Sequence, residues 1–74
     1  MSGRPKNINR KAIRNRNLSF IQMLGEDKER QEIADKWGLS KRTVDSAIDN
    51  LRFEYDCNTV GGLVYKLYKL GLIK

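Results

Sequence analysis

Histidine is absent from these 74 residues, and cysteine, tryptophan and proline each occur once. With no histidine and no second cysteine, a zinc site would need an unusual ligand set and no intramolecular disulfide can form. Metal-dependent chemistry is therefore not expected, and Cys57 is left with no assigned role. Long apolar runs are missing too. None approaches the roughly 18 residues that a spanning helix needs, and the basic, polar N-terminus has no apolar stretch to act as a secretory signal. The expectation is a cytoplasmic protein with no membrane partner. Alternation of apolar and polar residues never persists, so no strand is expected. A chain of this length supports one small domain. Its nine carboxylates fall on solvated helix faces with no concave pocket to shift their pKa. It is thus expected not to be an enzyme and to take neither a cofactor nor a small-molecule substrate.

What the sequence does have is charge, unevenly placed. Fifteen Lys and Arg stand against nine Asp and Glu, a formal net charge of +6. Residues 1–16 hold six cations (Arg4, Lys6, Arg10, Lys11, Arg14 and Arg16) and no acid, which leaves nine of each sign in the remainder. An uncompensated basic segment beside a neutral domain is the pattern of arms that track nucleic-acid phosphates, where each neutralised phosphate releases condensed counterion. A solubilising tail would have the same composition. An anionic membrane would attract it as well, but no apolar anchor accompanies it.

The apolar residues recur at helical spacing, and four helices can be placed. The first covers residues 15–24, with Leu18, Ile21 and Leu24 three apart, Phe20 beside them, and Gly25 to end it. The second follows Glu26 and Asp27, carries Ile33, Ala34 and Trp37, and stops at Gly38. Ser40 offers an N-cap for a third, reaching residue 55, on which Val44, Ala47, Ile48, Leu51 and Tyr55 form one apolar stripe. Asn58 or Thr59 caps the fourth, which bears Leu63, Val64, Leu67 and Leu70 and ends at Gly71. Gly61 and Gly62 weaken its first turn by about 1 kcal/mol each, so either the helix begins later or another backbone approaches closely there. Trp37 is expected to fill the space between helices two and three. The fold class is all-α, a small four-helix helix-turn-helix domain over residues 15–74 with a flexible basic N-terminal arm over residues 1–14.

The junction between helices two and three carries the most information. Ala34 allows two helices to cross closely, Gly38 can take the left-handed conformation of a tight turn, Leu39 plugs the junction, and Ser40 restarts the helix ahead of buried Val44 and Ala47. Any compact helical hairpin favours similar residues, but the full pattern has helix-turn-helix spacing. Glu32-Ile33-Ala34, Leu39-Ser40, Thr43-Val44 followed by Ile48, Leu51 and Tyr55, and Leu63-Val64 through Gly71-Leu72 make residues 13–73 similar to the LuxR/GerE-type DNA-binding domain. That domain is the effector module of many bacterial response regulators and quorum-sensing regulators. Arg16 falls where the family has an arginine, while Asn17 replaces the acid that usually follows it. The resemblance implies a third helix that enters the major groove and a fourth that pairs with its twin in a dimer, with Leu63, Val64, Tyr65 and Tyr68 as the candidate interface.

With Val44 facing the core, helical geometry puts Arg42, Ser46, Asp49 and Phe53 on the outward face, flanked by Asp45 and Asn50. Lys41, Arg42 and Thr43 at the helix start could touch the phosphate backbone, and Ser46 and Asn50 could reach base edges, Asn favouring adenine. In the family, basic residues usually occupy the positions of Asp45 and Asp49. A carboxylate beside a phosphate is repelled by about 1 kcal/mol or more, although Asp can accept from cytosine N4. These polar residues would equally make an ordinary solvated face. Phe53, opposite the core stripe, implies either cover by the arm or a partner surface. Gly3-Arg4-Pro5 matches the core of the AT-hook, an extended minor-groove binder, although general phosphate contact needs no such motif.

Two functions follow. The first is a bacterial or phage regulator of transcription, a homodimer that binds double-stranded DNA sequence-specifically through helix three and the arm, associated with the nucleoid. The second is an interaction module that keeps the same fold but uses Asp45, Asp49 and Phe53 to bind another transcription regulator.

Overall fold

The computed structural model describes residues 6–74, with side chains from residue 10 onward. Gly3, Arg4, Pro5 and the side chain of Lys6, named above for the arm, lie outside the described residues. Four helices carry the regular structure: α1 (Lys6–Gly25), α2 (Arg30–Trp37), α3 (Lys41–Glu54) and α4 (Val60–Lys69), with no strand among the described residues. Nor is any of these helices long and apolar enough to cross a membrane. The all-α expectation agrees with this architecture.

One core joins all four helices. Phe20 and Ile21 of α1, Ile33 and Ala34 of α2, Val44, Ala47, Ile48 and Leu51 of α3, and Leu63 and Leu67 of α4 are buried together, closed at the C-terminal end by Ile73. On α3 the four core residues recur at the i, i+3, i+4, i+7 spacing of one helix face, so the other side of α3 is left to solvent. Each large apolar side chain fully buried in so small a core contributes about 1.5–3 kcal/mol. Leu18, Met23, Leu24, Leu39, Tyr55 and Val64 pack around its edge.

α2, α3 and α4 start on side-chain caps, and all four helices stop on left-handed residues. Glu32 Oε1 accepts from the Glu29 backbone N–H at 2.9 Å, Ser40 Oγ from Thr43 N–H at 3.1 Å and Thr59 Oγ1 from Gly62 N–H at 3.0 Å. The helices end at Asp27 (φ 68°), Gly38 (φ 67°), Asp56 (φ 56°) and Gly71 (φ 78°). In each case the next N–H reaches the carbonyl five residues back, as in Leu39 to Ala34 at 2.9 Å and Cys57 to Arg52 at 2.8 Å, so an otherwise orphaned carbonyl is satisfied. The Gly38 turn is the tightest connection: Leu39 and Ser40 alone separate it from α3.

Several expectations are corrected. α1 begins at Lys6, so the basic residues from Arg10 to Arg14 sit on the helix itself instead of in a flexible arm. Gly25 lies inside the last turn of α1, and Asp27 takes the left-handed position. Gly25 instead permits close packing, since a Cβ there would stand 3.2 Å from Val64 Cγ1 on α4. Trp37 does not fill the space between α2 and α3. It is 41% exposed and meets Phe20 of α1 edge-on, with ring centroids 5.8 Å apart. α4 does not start after its glycines: both lie in its first turn, where a Cβ on Gly62 would crowd the capping Thr59 hydroxyl and one on Gly61 would meet open space. Leu70, placed on the apolar stripe of α4, is exposed.

Candidate nucleic-acid interface

α3 leaves the core at Ser40, whose hydroxyl also bonds the Thr43 hydroxyl at 2.9 Å. Thr43 is half-buried and engaged in this cap, so its hydroxyl can donate to a phosphate only while accepting from Ser40. Arg42, Ser46, Asp49, Asn50 and Phe53 are exposed along one side of the helix, as the spacing predicts. Arg42, Ser46 and Asn50 make no side-chain hydrogen bond or ion pair among the described residues. Phe53 is 90% exposed at the far end of this stripe.

The two acids on the outward side of α3, Asp45 and Asp49, are not free charges. Asp45 Oδ1 accepts from Arg30 on α2 at 2.9 Å, and its Oδ2 from Lys41 one turn earlier at 3.1 Å. Hydrogen bonding to Arg30 and then Lys41, rather than burial, holds the Asp45 carboxyl below the ordinary carboxylate range. Asp49 pairs with Arg52 at 3.0 Å, and Arg52 also donates to the Asn58 carbonyl at 2.8 Å, tying the end of α3 to the following loop. The expected repulsion of phosphate by Asp45 is thus largely compensated within the protein. The same bond engages Lys41, one of the cations expected on the backbone. Arg30 was not singled out in the sequence because its partner is set by how α2 crosses α3, which local spacing does not reveal.

The cations of α1 separate into two kinds. Arg14 donates to Glu54 Oε2 at 2.7 Å and to the Tyr55 hydroxyl, with its guanidinium carbon 5.8 Å from the Tyr55 ring centroid. The hydrogen bond to Glu54 raises the Arg14 pKa further above its ordinary value. Arg16 is half-buried, bonds Asn17 Oδ1 at 3.0 Å through Nη2 and lies over the Phe20 ring at 5.3 Å. Both residues face the protein's own surface. Arg10 and Lys11 are exposed and make no ion pair among the described residues.

On α4 the candidate dimer residues divide. Leu63 is fully buried in the core and has no surface to offer a second copy, so its place in the interface is withdrawn. Val64 is half-buried, whereas Tyr65 and Tyr68 are exposed and line, with Gln22, Gly25, Gly61 and Ile73, a groove of about 390 Å³ between α1 and α4. A shallower bowl of about 680 Å³ lies at the end of α3, bordered by Asp49, Asn50, Phe53, Asp56 and Cys57.

Compared with known proteins, the chain matches no family model, no curated protein and no solved structure.

Proposed function

We propose that this chain is a helix-turn-helix regulator of transcription that binds duplex DNA with α3 in the major groove. The observation that carries the reading is α3 itself. Its inner face is sealed into the core by Val44, Ala47, Ile48 and Leu51, while Arg42, Ser46 and Asn50 stand in solvent on the other side without protein partners among the described residues. The Gly38 bend and the Ser40 cap present that face at the start of the helix. Arg42 would hold the phosphate backbone, and Ser46 and Asn50 would read base edges. The protein works as a homodimer through Val64, Tyr65 and Tyr68, has no catalytic role, needs no cofactor, and acts in the cytoplasm at the nucleoid. The LuxR/GerE resemblance supports the same assignment.

Fluorescence anisotropy of the whole chain on labelled random duplex, at about 50 and about 200 mM salt, tests this. Binding that weakens with salt and is reduced by Arg42→Gln is expected. Absence of binding at low salt would overturn it.

A second reading rests on Phe53. An aromatic ring 90% exposed beside the Asp49–Asp56 bowl favours a protein partner, such as another regulator, over solvent. On that reading Phe53→Ser removes the partner, and Arg42→Gln does nothing.

A further inference from the structure

We infer that the N-terminal half of α1 is a fixed second clamp for DNA phosphates, in which Arg10 and Lys11 make the contacts and Arg14 positions them. This rests on the proposed DNA-binding function and adds how the duplex is gripped. Nothing in the core holds that half of the helix, since residues 10–15 are exposed and burial starts with Phe20 and Ile21. What fixes it is Arg14, bonded to Glu54 at 2.7 Å and to the Tyr55 hydroxyl at the end of α3. Arg10 and Lys11 precede Arg14 by four and three residues, so they share its side of the helix, one turn beyond the pair that ties α1 to the end of α3.

Charge identifies the partner. α1 contains no acid along its whole length, and a first turn without an acid leaves the positive end of the helix dipole uncompensated. A polyanion laid across Arg10 and Lys11 would relieve both. From Arg42 to Glu54 the axis of α3 runs about 18 Å, longer than the roughly 12 Å width of the major groove. Cations near the two ends of α3 can therefore reach the phosphate backbones on either side of a groove occupied by the helix. Arg42 serves one border, and Arg10 and Lys11 the other. A helical arm already held in place binds without the ordering entropy that a free tail would lose. A solubilising tail would have no need of a latch to α3.

The test is the slope of log affinity against log salt for the whole chain on random duplex, with far-UV circular dichroism to verify the fold of each variant. Each lost phosphate contact makes the slope less negative by about 0.9. The double substitution Arg10→Gln, Lys11→Gln is expected to change it by about 1.8. Arg14→Gln is expected to lose part of that amount. The exchanged pair Arg14→Glu, Glu54→Arg keeps the net charge and rebuilds the latch with its polarity reversed, so it is expected to restore the wild-type slope. An unchanged slope in the Arg10, Lys11 variant, while Arg42→Gln still lowers it, overturns the clamp and leaves the DNA-binding function standing. A slope that falls in the exchanged pair as far as in Arg14→Gln makes Arg14 a direct contact and overturns its positioning role. No affinity at low salt overturns clamp and function together.

Discussion

Arg30 at the first position of α2 donates to Asp45 Oδ1 on α3 at 2.9 Å, joining residues fifteen apart in sequence across the Gly38 turn. This bond, with Lys41 on the other carboxylate oxygen, converts what looks in sequence like an acid on a DNA-reading face into a tie between two helices. Removing Asp45 therefore does two things that can be measured separately.

The first concerns binding. Asp45→Asn takes away one negative charge and leaves Arg30 and Lys41 free to turn toward phosphate. Affinity for random duplex at about 100 mM salt is expected to rise roughly tenfold, with a steeper salt dependence. An unchanged affinity in an anisotropy titration would mean that this end of α3 does not meet DNA.

The second concerns acid stability. The Asp45 carboxyl is held below the ordinary carboxylate range in the folded state, so as pH falls the unfolded chain takes up a proton first and unfolding is favoured. The contribution is fully present at neutral pH. It is lost between the ordinary carboxylate range and the lower folded-state value. Urea melts at a series of pH values are expected to show a smaller acid-induced loss for Asp45→Asn than for the native chain.

Backbone conformation gives predictions of opposite sign at two helix ends. Gly38 has φ 67° and a Cβ there would meet no atom within 4 Å, so Gly38→Ala costs only the left-handed penalty of about 1–2 kcal/mol. Asp56 already bears such a penalty at φ 56°, and Asp56→Gly is expected to stabilise by up to about 1 kcal/mol. Denaturant midpoints with unchanged slopes would measure both.

α4 offers a division between fold and assembly. Leu63→Ala empties a fully buried site and is expected to cost about 2–5 kcal/mol, a large share of the stability of a domain this small. Tyr65→Ala and Tyr68→Ala remove exposed rings and are expected to shift the melt by less than about 0.5 kcal/mol. Sedimentation velocity at micromolar concentration should show a dimer in the native chain and a monomer in these two variants. A native monomer, alone and on DNA, would leave Tyr65 and Tyr68 without an assembly role.

Much of the helical framework is legible without coordinates, because it depends on neighbours within a turn or two. The stripe from Val44 to Leu51, the Ser40 and Thr59 caps and the glycine stops at Gly38 and Gly71 are all local signals. The start of α1 is not, since residues 6–14 carry no apolar period, and only Pro5 in the sequence just before Lys6 hints at it. The left-handed aspartates 27 and 56 are equally hidden, because aspartate is far less diagnostic of that conformation than glycine.

By itself, then, the amino-acid order determined that this protein is helical, where α2, α3 and α4 lie, and which side of α3 is turned outward. Tertiary structure decided which charges remain available on that outward side. Arg14 finds Glu54 forty residues away, Arg30 finds Asp45, and Leu63 sinks into the core while Tyr65 stays in water. The physical reason is range: helix periodicity and capping act over about four residues, whereas ion pairs and burial depend on how helices cross, which only the packed core settles.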